Sequence, residues 1–509
     1  MTAPSIHWTY SDSNILSGVK YMLKKILFVT SEAHPLIKTG GLADISGSLP
    51  KALLDLGVDV RLIIPNYQAI KATEDVYYKS TVRVNNIDAN ILETRLPGTQ
   101  LPVWLVDCPE FFGFAGNPYV DKHGKAWDNS AERFALFCRI VVEVAMNRGY
   151  LDWTPDIVHC NDWQSGLVPA LLSLEALRPA TVFTIHNLAY QGLFPKATWT
   201  SLNLPSRLWS SEGLEFNGML SFIKGGLAYA DRITTVSQTY AKEIQTADFG
   251  YGLEGLLSYR KNDLTGIING IDADQWNPET DPVISQRYDI LTLPKKQFNK
   301  AAMQKQHGLP VDNTIAVFVL ISRLVEQKGI DLVLECLPEM LTLPLQFILL
   351  GKGEKHFERQ LSAFANRYPD KIAITLGYDE GLAHQLEAGA DVFLMPSKFE
   401  PCGLNQLYSQ RYGTVPVVRK TGGLADTVVD TLPETLSNKM ATGFVFNEAT
   451  AGSLMEAIKR ALIVYSQPEI WQQLQVNGMQ KDYSWNNSAK EYMCLYEQIG
   501  ILLYRFSDK

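Results

Sequence analysis

The side chains of this chain best suited to chemistry sit where apolar runs end. Lys38 and the Gly40–Gly41 pair follow KKILFVTSE, Asp162 ends DIVHCND, and His186 stands beside Asn187 in TVFTIHN. Further along, Arg323 and Lys328 lie in SRLVEQKG, Tyr378 in LGYDE, and Glu400 in KFEPCGL. Tandem glycines let the backbone take positive φ and let another group come close. A lysine before such a turn, with a helix after it, suits an anionic ligand, because free N–H groups and the helix dipole both point at it. Two cations at a helix start, as Arg323 and Lys328 are expected to be, oppose the dipole unless an anion joins them. Glu400 precedes Pro401, which suits an early position of a helix expected from about Cys402. Its carboxyl is either aimed at a ligand or caps that helix. A lone His186 is more often a satisfied structural group than a catalyst, but its place at a strand exit favours function.

The glycine turn belongs to a heptapeptide, KTGGLAD, that occurs twice, at Lys38–Asp44 and Lys420–Asp426. A single copy reads as a plain strand-to-helix turn. Two copies ask whether the chain has two similar halves, and the elements around them answer. KKILFVTSE reads as a buried strand and ADISGSLPKALLDLG as a helix ending at Gly57. Strands at VDVRLIIPNY, VWLVDCPE, DIVHCNDW and TVFTIHNLAY alternate with apolar helical runs. After TGIINGID the pattern restarts with AVFVLISRL, LQFILLGKGE, KIAITLGYDE, VFLMPSKFE and VPVVRKTGG, each followed by a helical run. The βαβα order predicts α/β architecture: two doubly wound, Rossmann-like domains, each with a parallel sheet covered on both faces. Ligands of such sheets bind outside the carboxyl ends of strands. Two rims facing each other would make a deep cleft, with one KTGGLAD on each. The division expected is an extension over 1–21, a first domain over 22–262, a second over 263–487, and a terminal helix over 488–509 crossing back to the first.

Composition narrows the classes. A chain of 509 residues with 46% hydrophobic and 20% charged residues is a multidomain globular protein. A net charge of −8 argues against non-specific nucleic-acid binding, which needs a broad basic face. Six scattered cysteines form no CxxC pair, so neither a zinc site nor a disulfide framework is expected, and a reducing cytoplasm fits best. No stretch is long and apolar enough to span a bilayer, and the first 21 residues have neither signal-peptide nor transit-peptide character.

Five motifs in fixed order, KTGGLADISGSLPKAL, TIHNLAYQG, GLEFNG, SRLVEQKG and FEPCGLNQLYSQRYG followed by TGGLADTV, resemble the bacterial glycogen synthase and plant starch synthase family. The resemblance runs from about Met22 to the end. It implies the two-domain fold called GT-B. It also implies transfer of glucose from ADP-glucose to an α-1,4-glucan with retention of configuration, without metal or cofactor. Carried over residue by residue, it implies that Arg323 and Lys328 hold the donor phosphates. Lys38 and Gly40–Gly41 would approach from the other domain, with Asp44 behind their loop. The resemblance makes Glu400 the carboxylate at the donor glucose, positioning it and stabilising charge. It turns the backbone N–H groups of Gly403, Leu404 and Asn405 toward the phosphates, and matches Cys402 without a catalytic role. It sets His186 beside the donor glucose, Asp162 near the reacting sugars and Tyr378 near the adenine. Trp163 either stacks on sugar or packs. The family commonly reads HxHDWH where this chain has Asn161 and Gln164, and many bacterial relatives have Thr where it has Asn405. Two other readings are a pyridoxal-phosphate-dependent glucan phosphorylase, for which only generic lysines speak, and a weakly active glucan-binding or regulatory paralogue. Intact Glu400, Arg323, Lys328 and His186 count against the latter, while Asn161 and Gln164 keep it open.

Overall fold

The structure is a computed structural model that describes residues 24–70 and 75–507. The expected extension over 1–21 lies outside the described residues. The first sheet takes β1 (Lys25–Val29), β2 (Asp59–Pro65), β3 (Tyr77–Val84), β4 (Ile87–Arg95), β5 (Pro102–Asp107), β6 (Ile157–Asn161) and β7 (Ala180–Ile185). After a three-stranded excursion, β8 (Leu193–Pro195), β9 (Glu215–Phe216) and β10 (Met219–Ser221), it resumes with β11 (Arg232–Thr235) and β12 (Leu264–Gly266). The second sheet takes β13 (Ala316–Leu324), β14 (Leu345–Gly353), β15 (Ile372–Leu376), β16 (Val392–Met395), β17 (Val415–Arg419) and β18 (Phe444–Phe446).

The strand orders are β12-β11-β7-β6-β1-β2-β5-β4-β3 and β15-β14-β13-β16-β17-β18. Stripped of the β3–β4 hairpin, both are doubly wound sheets whose order reverses beside the first strand, between β1 and β6 and between β13 and β16. All pairs in both sheets are parallel except β3–β4 and β4–β5. The central strands are buried on both faces, which is why they read as unbroken apolar runs. The reversal points are where such sheets open a crevice for ligands. The loops leaving β1, β6, β13 and β16 carry Lys38, Asp162, Lys328 and Glu400.

Two local starts differ from the sequence reading. Arg323 is still in β13, and Lys328 closes a short 3-10 turn, so the following helix begins only at Ile330. Gly329 makes the step with φ +69°, and a Cβ there would stand 2.1 Å from the Pro396 carbonyl oxygen. Likewise the helix after Glu400 starts at Asn405 rather than near Cys402, because Gly403 turns the chain at φ +75°.

The domains are joined by the segment after β12 and by the terminal helix Trp485–Ser507. That helix buries Ala489, Tyr492, Leu495 and Tyr496 in the core of the first domain. The joining segment is pinned to the second domain by Asp281, which accepts from the Tyr412 hydroxyl at 2.6 Å and pairs with His384 Nδ1 at 2.7 Å. Trp276 of the same segment lies stacked between His384 and Tyr408, with centroids 3.8 Å apart on each side. Among the described residues no helix is long and apolar enough to cross a membrane.

Removing the Asp281 carboxylate leaves the buried Tyr412 hydroxyl and His384 Nδ1 with only a long contact to each other, at 3.3 Å. Asp281→Ala should therefore cost about 2–3 kcal/mol and lower the melting temperature by about 4–12 °C. A thermal melt of the variant beside wild type reads this directly, and an unchanged melt would mean the segment is held by its aromatic stack alone.

Candidate active site

A cavity of about 1170 Å³ opens between the domains. Lys38, Gly40, Gly41 and Asp44 line it from the first domain, and Arg323, Lys328, Tyr378, Leu404 and Asn405 from the second. Sequence-distant groups thus meet on one wall-to-wall space. Glu400, Cys402, Gly403, Asp162 and His186 are not on the lining. Glu400 lies just behind it: its Oε2 accepts from the Lys328 ammonium and from the Ser397 hydroxyl at 2.9 Å, and both partners line the cavity. Cys402 is buried, and burial pushes its thiol up to about 12, so it offers no thiolate near neutral pH. Tyr378 stands at the rim, 67% exposed, with its hydroxyl 3.3 Å from Glu380.

Lys38 is held at the cavity by an ion pair with Asp44 at 2.7 Å. Burial works against its charge, yet the Asp44 carboxylate outweighs this and holds the ammonium above the ordinary lysine range. Burial in turn raises Asp44, although Lys38 pulls the other way. The loop itself is anchored by Glu32, whose Oε2 accepts from the Thr39 N–H at 2.6 Å and the Gly40 N–H at 3.2 Å. The Tyr119 hydroxyl donates to the other oxygen at 3.0 Å. Sequence reasoning missed both anchors. Glu32 ends the FVTSE run and could have been weighed as a strand-exit carboxylate; Tyr119 sits in a patternless loop and carries no such signal.

Asp162 and His186 form a second cluster. Asp162 adopts φ +55°, an uncommon backbone state for a non-glycine residue. Its Oδ1 accepts from the His186 N–H at 2.8 Å, which ties the exits of β6 and β7 together. His186 Nε2 faces Asn161 Oδ1 at 2.9 Å, while the Asn161 amide nitrogen donates to the Val29 carbonyl at 3.0 Å. The amide orientation makes Nε2 the protonated nitrogen and leaves Nδ1 as a bare acceptor, buried and without a partner among the described residues. Burial drives the imidazole down to about 3, so the ring is neutral across the physiological range. Asn161, where the family commonly has histidine, thus fixes the tautomer of His186. Trp163 packs edge-on against Phe134, with ring centroids 5.1 Å apart. The aromatic wall of Trp276 and Tyr408 was also missed, since a single Trp in a joining segment carries no periodic signal.

Burial pushes the Asp162 carboxyl up to about 7, from an ordinary 3.8. A folded-state pKa above the unfolded one means the native state holds the proton more tightly, so this group costs stability as pH rises from about 4 to about 7. Asp162→Asn removes that dependence. The melting temperature of the variant minus that of wild type should grow over this range and level off above it. A pH-independent difference would show that the carboxylate is ionised at no cost in the fold.

The comparisons with known proteins agree over most of the chain. Residues 25–259 match the family model for the starch synthase catalytic domain, and residues 299–473 match that for glycosyl transferases group 1. Glycogen synthase 1 of Methylococcus capsulatus is 56% identical over 475 residues, covering 93% of this chain and 96% of that protein. Glycogen synthase of Cellvibrio japonicus is 52% identical over 480 residues, covering 94% and 100%. Among solved structures, the catalytic domain of starch synthase IV from Arabidopsis thaliana, bound to ADP and acarbose, superposes with a TM-score of 0.84 at 32% identity, covering 93% of this chain and 99% of that one. Sucrose-phosphate synthase from Thermosynechococcus elongatus, at 16% identity and a TM-score of 0.58, shares the fold. With two doubly wound domains closing on one cation-lined cavity, and with relatives that span its length, the chain belongs to the glycogen and starch synthase family of GT-B glycosyltransferases.

Proposed function

We propose that this enzyme transfers glucose from ADP-glucose to the non-reducing end of an α-1,4-glucan, with retention at the anomeric carbon. The observation that carries the reading is the convergence of Lys38 with Arg323 and Lys328 on one cavity from opposite domains, with Glu400 bonded to Lys328 behind its wall. The related Arabidopsis structure was solved with ADP and acarbose, which supports a nucleoside-diphosphate donor here.

The donor diphosphate lies against Arg323 and Lys328. As the bond from the anomeric carbon to the phosphate oxygen breaks, negative charge grows on the leaving group. Cations already in place stabilise it without reorganising. Lys38 adds its charge from the first domain when the domains close over the donor, which also excludes water. The acceptor hydroxyl attacks from the face the phosphate leaves, and the departing phosphate oxygen takes its proton. Glu400, fixed by Lys328 and Ser397, positions the glucose and balances positive charge at the anomeric carbon. His186 borders the donor glucose from behind the cavity wall, and Asp162, which accepts from the His186 N–H, holds the loop that carries it. The deciding experiment offers the purified chain ADP-glucose or UDP-glucose, with and without glycogen. Glycogen-dependent release of ADP with chain growth is expected, and no elongation from either donor would overturn the reading.

Glu400→Gln keeps the shape but removes the charge. It should lower kcat by on the order of 10²–10³ while changing donor KM far less. Steady-state kinetics that show near-wild-type turnover would end this role for Glu400.

The two copies of KTGGLAD should differ in their lysines. Lys38 lines the cavity, whereas Lys420 is exposed, lies off the lining and has no ion pair among the described residues. Exposed-loop charges change stability little, within about 0.5 kcal/mol. Lys38→Ala should therefore cut kcat/KM strongly at a near-normal melting temperature, and Lys420→Ala should do markedly less. Equal losses of activity in the two variants would show that the copies work alike.

A further inference from the structure

The second heptapeptide touches the loop that carries Glu400, and it does so under the grip of a carboxylate from the other domain. Glu243 ends the helix Gln238–Glu243 of the first domain. Its Oε1 and Oε2 accept from the Gly422 N–H at 3.0 and 3.1 Å, and Oε1 also accepts from the Thr421 hydroxyl at 3.0 Å. Gly422 has φ +43°, and a Cβ there would stand 1.9 Å from the Glu400 carbonyl oxygen. The next N–H, that of Gly423, donates to the carbonyls of Glu400 at 3.2 Å and Pro401 at 3.1 Å. From the other side the Ser237 hydroxyl, at the start of the Glu243 helix, donates to the Pro401 carbonyl at 2.6 Å. The backbone of Glu400–Pro401 is therefore clamped between the Gly422–Gly423 turn and the first domain, and Glu243 holds that turn.

We infer that Glu243 is a positioning residue for Glu400. It grips Thr421 and Gly422 from across the interface, and so fixes the backbone on which the Glu400 carboxylate is carried. The clamp is complete only when the two domains stand in this relation, so domain arrangement and carboxylate placement are set together. The inference rests on the role proposed for Glu400. An error of 1 Å at such a group can cost on the order of 10²-fold in rate, so a side chain remote from the cavity can matter this much.

The test measures kcat, donor KM, ADP affinity by calorimetry and melting temperature for Glu243→Ala, Glu243→Gln, Asp426→Ala and Glu400→Gln in the full chain. Glu243→Ala should lower kcat by on the order of 10–100-fold, with ADP affinity and donor KM kept within about twofold. The Gln variant should recover most of the loss, because its amide oxygen can still accept from the Gly422 N–H. Asp426 makes a separate tie across the same interface, to the Thr239 N–H at 2.8 Å and the Thr239 hydroxyl, without touching Gly422 or Glu400. Asp426→Ala should therefore keep kcat within about twofold, since it leaves the Glu400 backbone in place. Unchanged turnover in Glu243→Ala, or no recovery in the Gln variant, overturns the inference. Equal losses in the Glu243 and Asp426 alanine variants would also overturn it, by making Glu243 a plain tie between domains. If Glu400→Gln abolishes turnover while Glu243→Ala does not, this inference fails alone. If Glu400→Gln is active, the proposed role of Glu400 fails first and this one with it.

Discussion

A glycine turn that opens a helix leaves backbone N–H groups aimed outward, and in a packed protein each must find an oxygen. Both copies of KTGGLAD meet this demand with a glutamate. In the first, Glu32 of the same domain takes the N–H groups of Thr39 and Gly40. In the second, Glu243 of the other domain takes the N–H of Gly422 and the hydroxyl of Thr421. One constraint, answered once in cis and once across the interface, ties the loops on both sides of the cleft to the frame. The first answer steadies the loop that presents Lys38. The second steadies the turn against which Glu400 rests.

The charges around the cavity follow the same economy. Like charges converging on one space repel, and exposed pairs gain little in water. Here Lys38 keeps Asp44 and Lys328 keeps Glu400. Among the described residues the Arg323 side chain reaches only the Tyr190 hydroxyl, 3.4 Å away across the cleft. An incoming diphosphate therefore meets cations that are already placed, and Arg323 is the one with least to give up. Such preplacement lets charge developing on a leaving group be stabilised without reorganisation.

Much of this was legible in the sequence because it is local. Apolar runs bounded by glycine turns mark buried parallel strands, and the polar residues at their exits mark the rims. The hairpin of β3 and β4 was not read. β3 is largely exposed or only partly buried along its length, so its residues lack the apolar run that marked the central strands. The late helix starts after Lys328 and Glu400 came from Gly329 and Gly403, whose positive φ breaks what composition alone presents as continuous helix. The anchors were invisible for another reason. Glu243 and Gly422 are 179 residues apart, and His186 and Asn161 are 25 apart. No periodicity reports a bond that exists only once two strands or two domains are side by side.

The repeated heptapeptide shows how far identical residues can diverge by neighbour alone. In the first copy the lysine and the aspartate six residues on pair with each other, Lys38 with Asp44, and both face the cavity. In the second the same aspartate, Asp426, binds the Thr239 N–H at the start of a first-domain helix, and Lys420 is left exposed. An aspartate that caps a helix of the other domain no longer holds a lysine at the cleft. The second copy has given up a cation at the cavity and gained a joint between domains. That joint bears on the backbone of Glu400. Only the second copy uses its glycines to let another backbone come close, with the Glu400 and Cys402 carbonyls against Gly422 and Gly423, whereas a Cβ at Gly40 or Gly41 would meet nothing within 4 Å; what each turn accomplishes is decided by which carboxylate arrives to fill it.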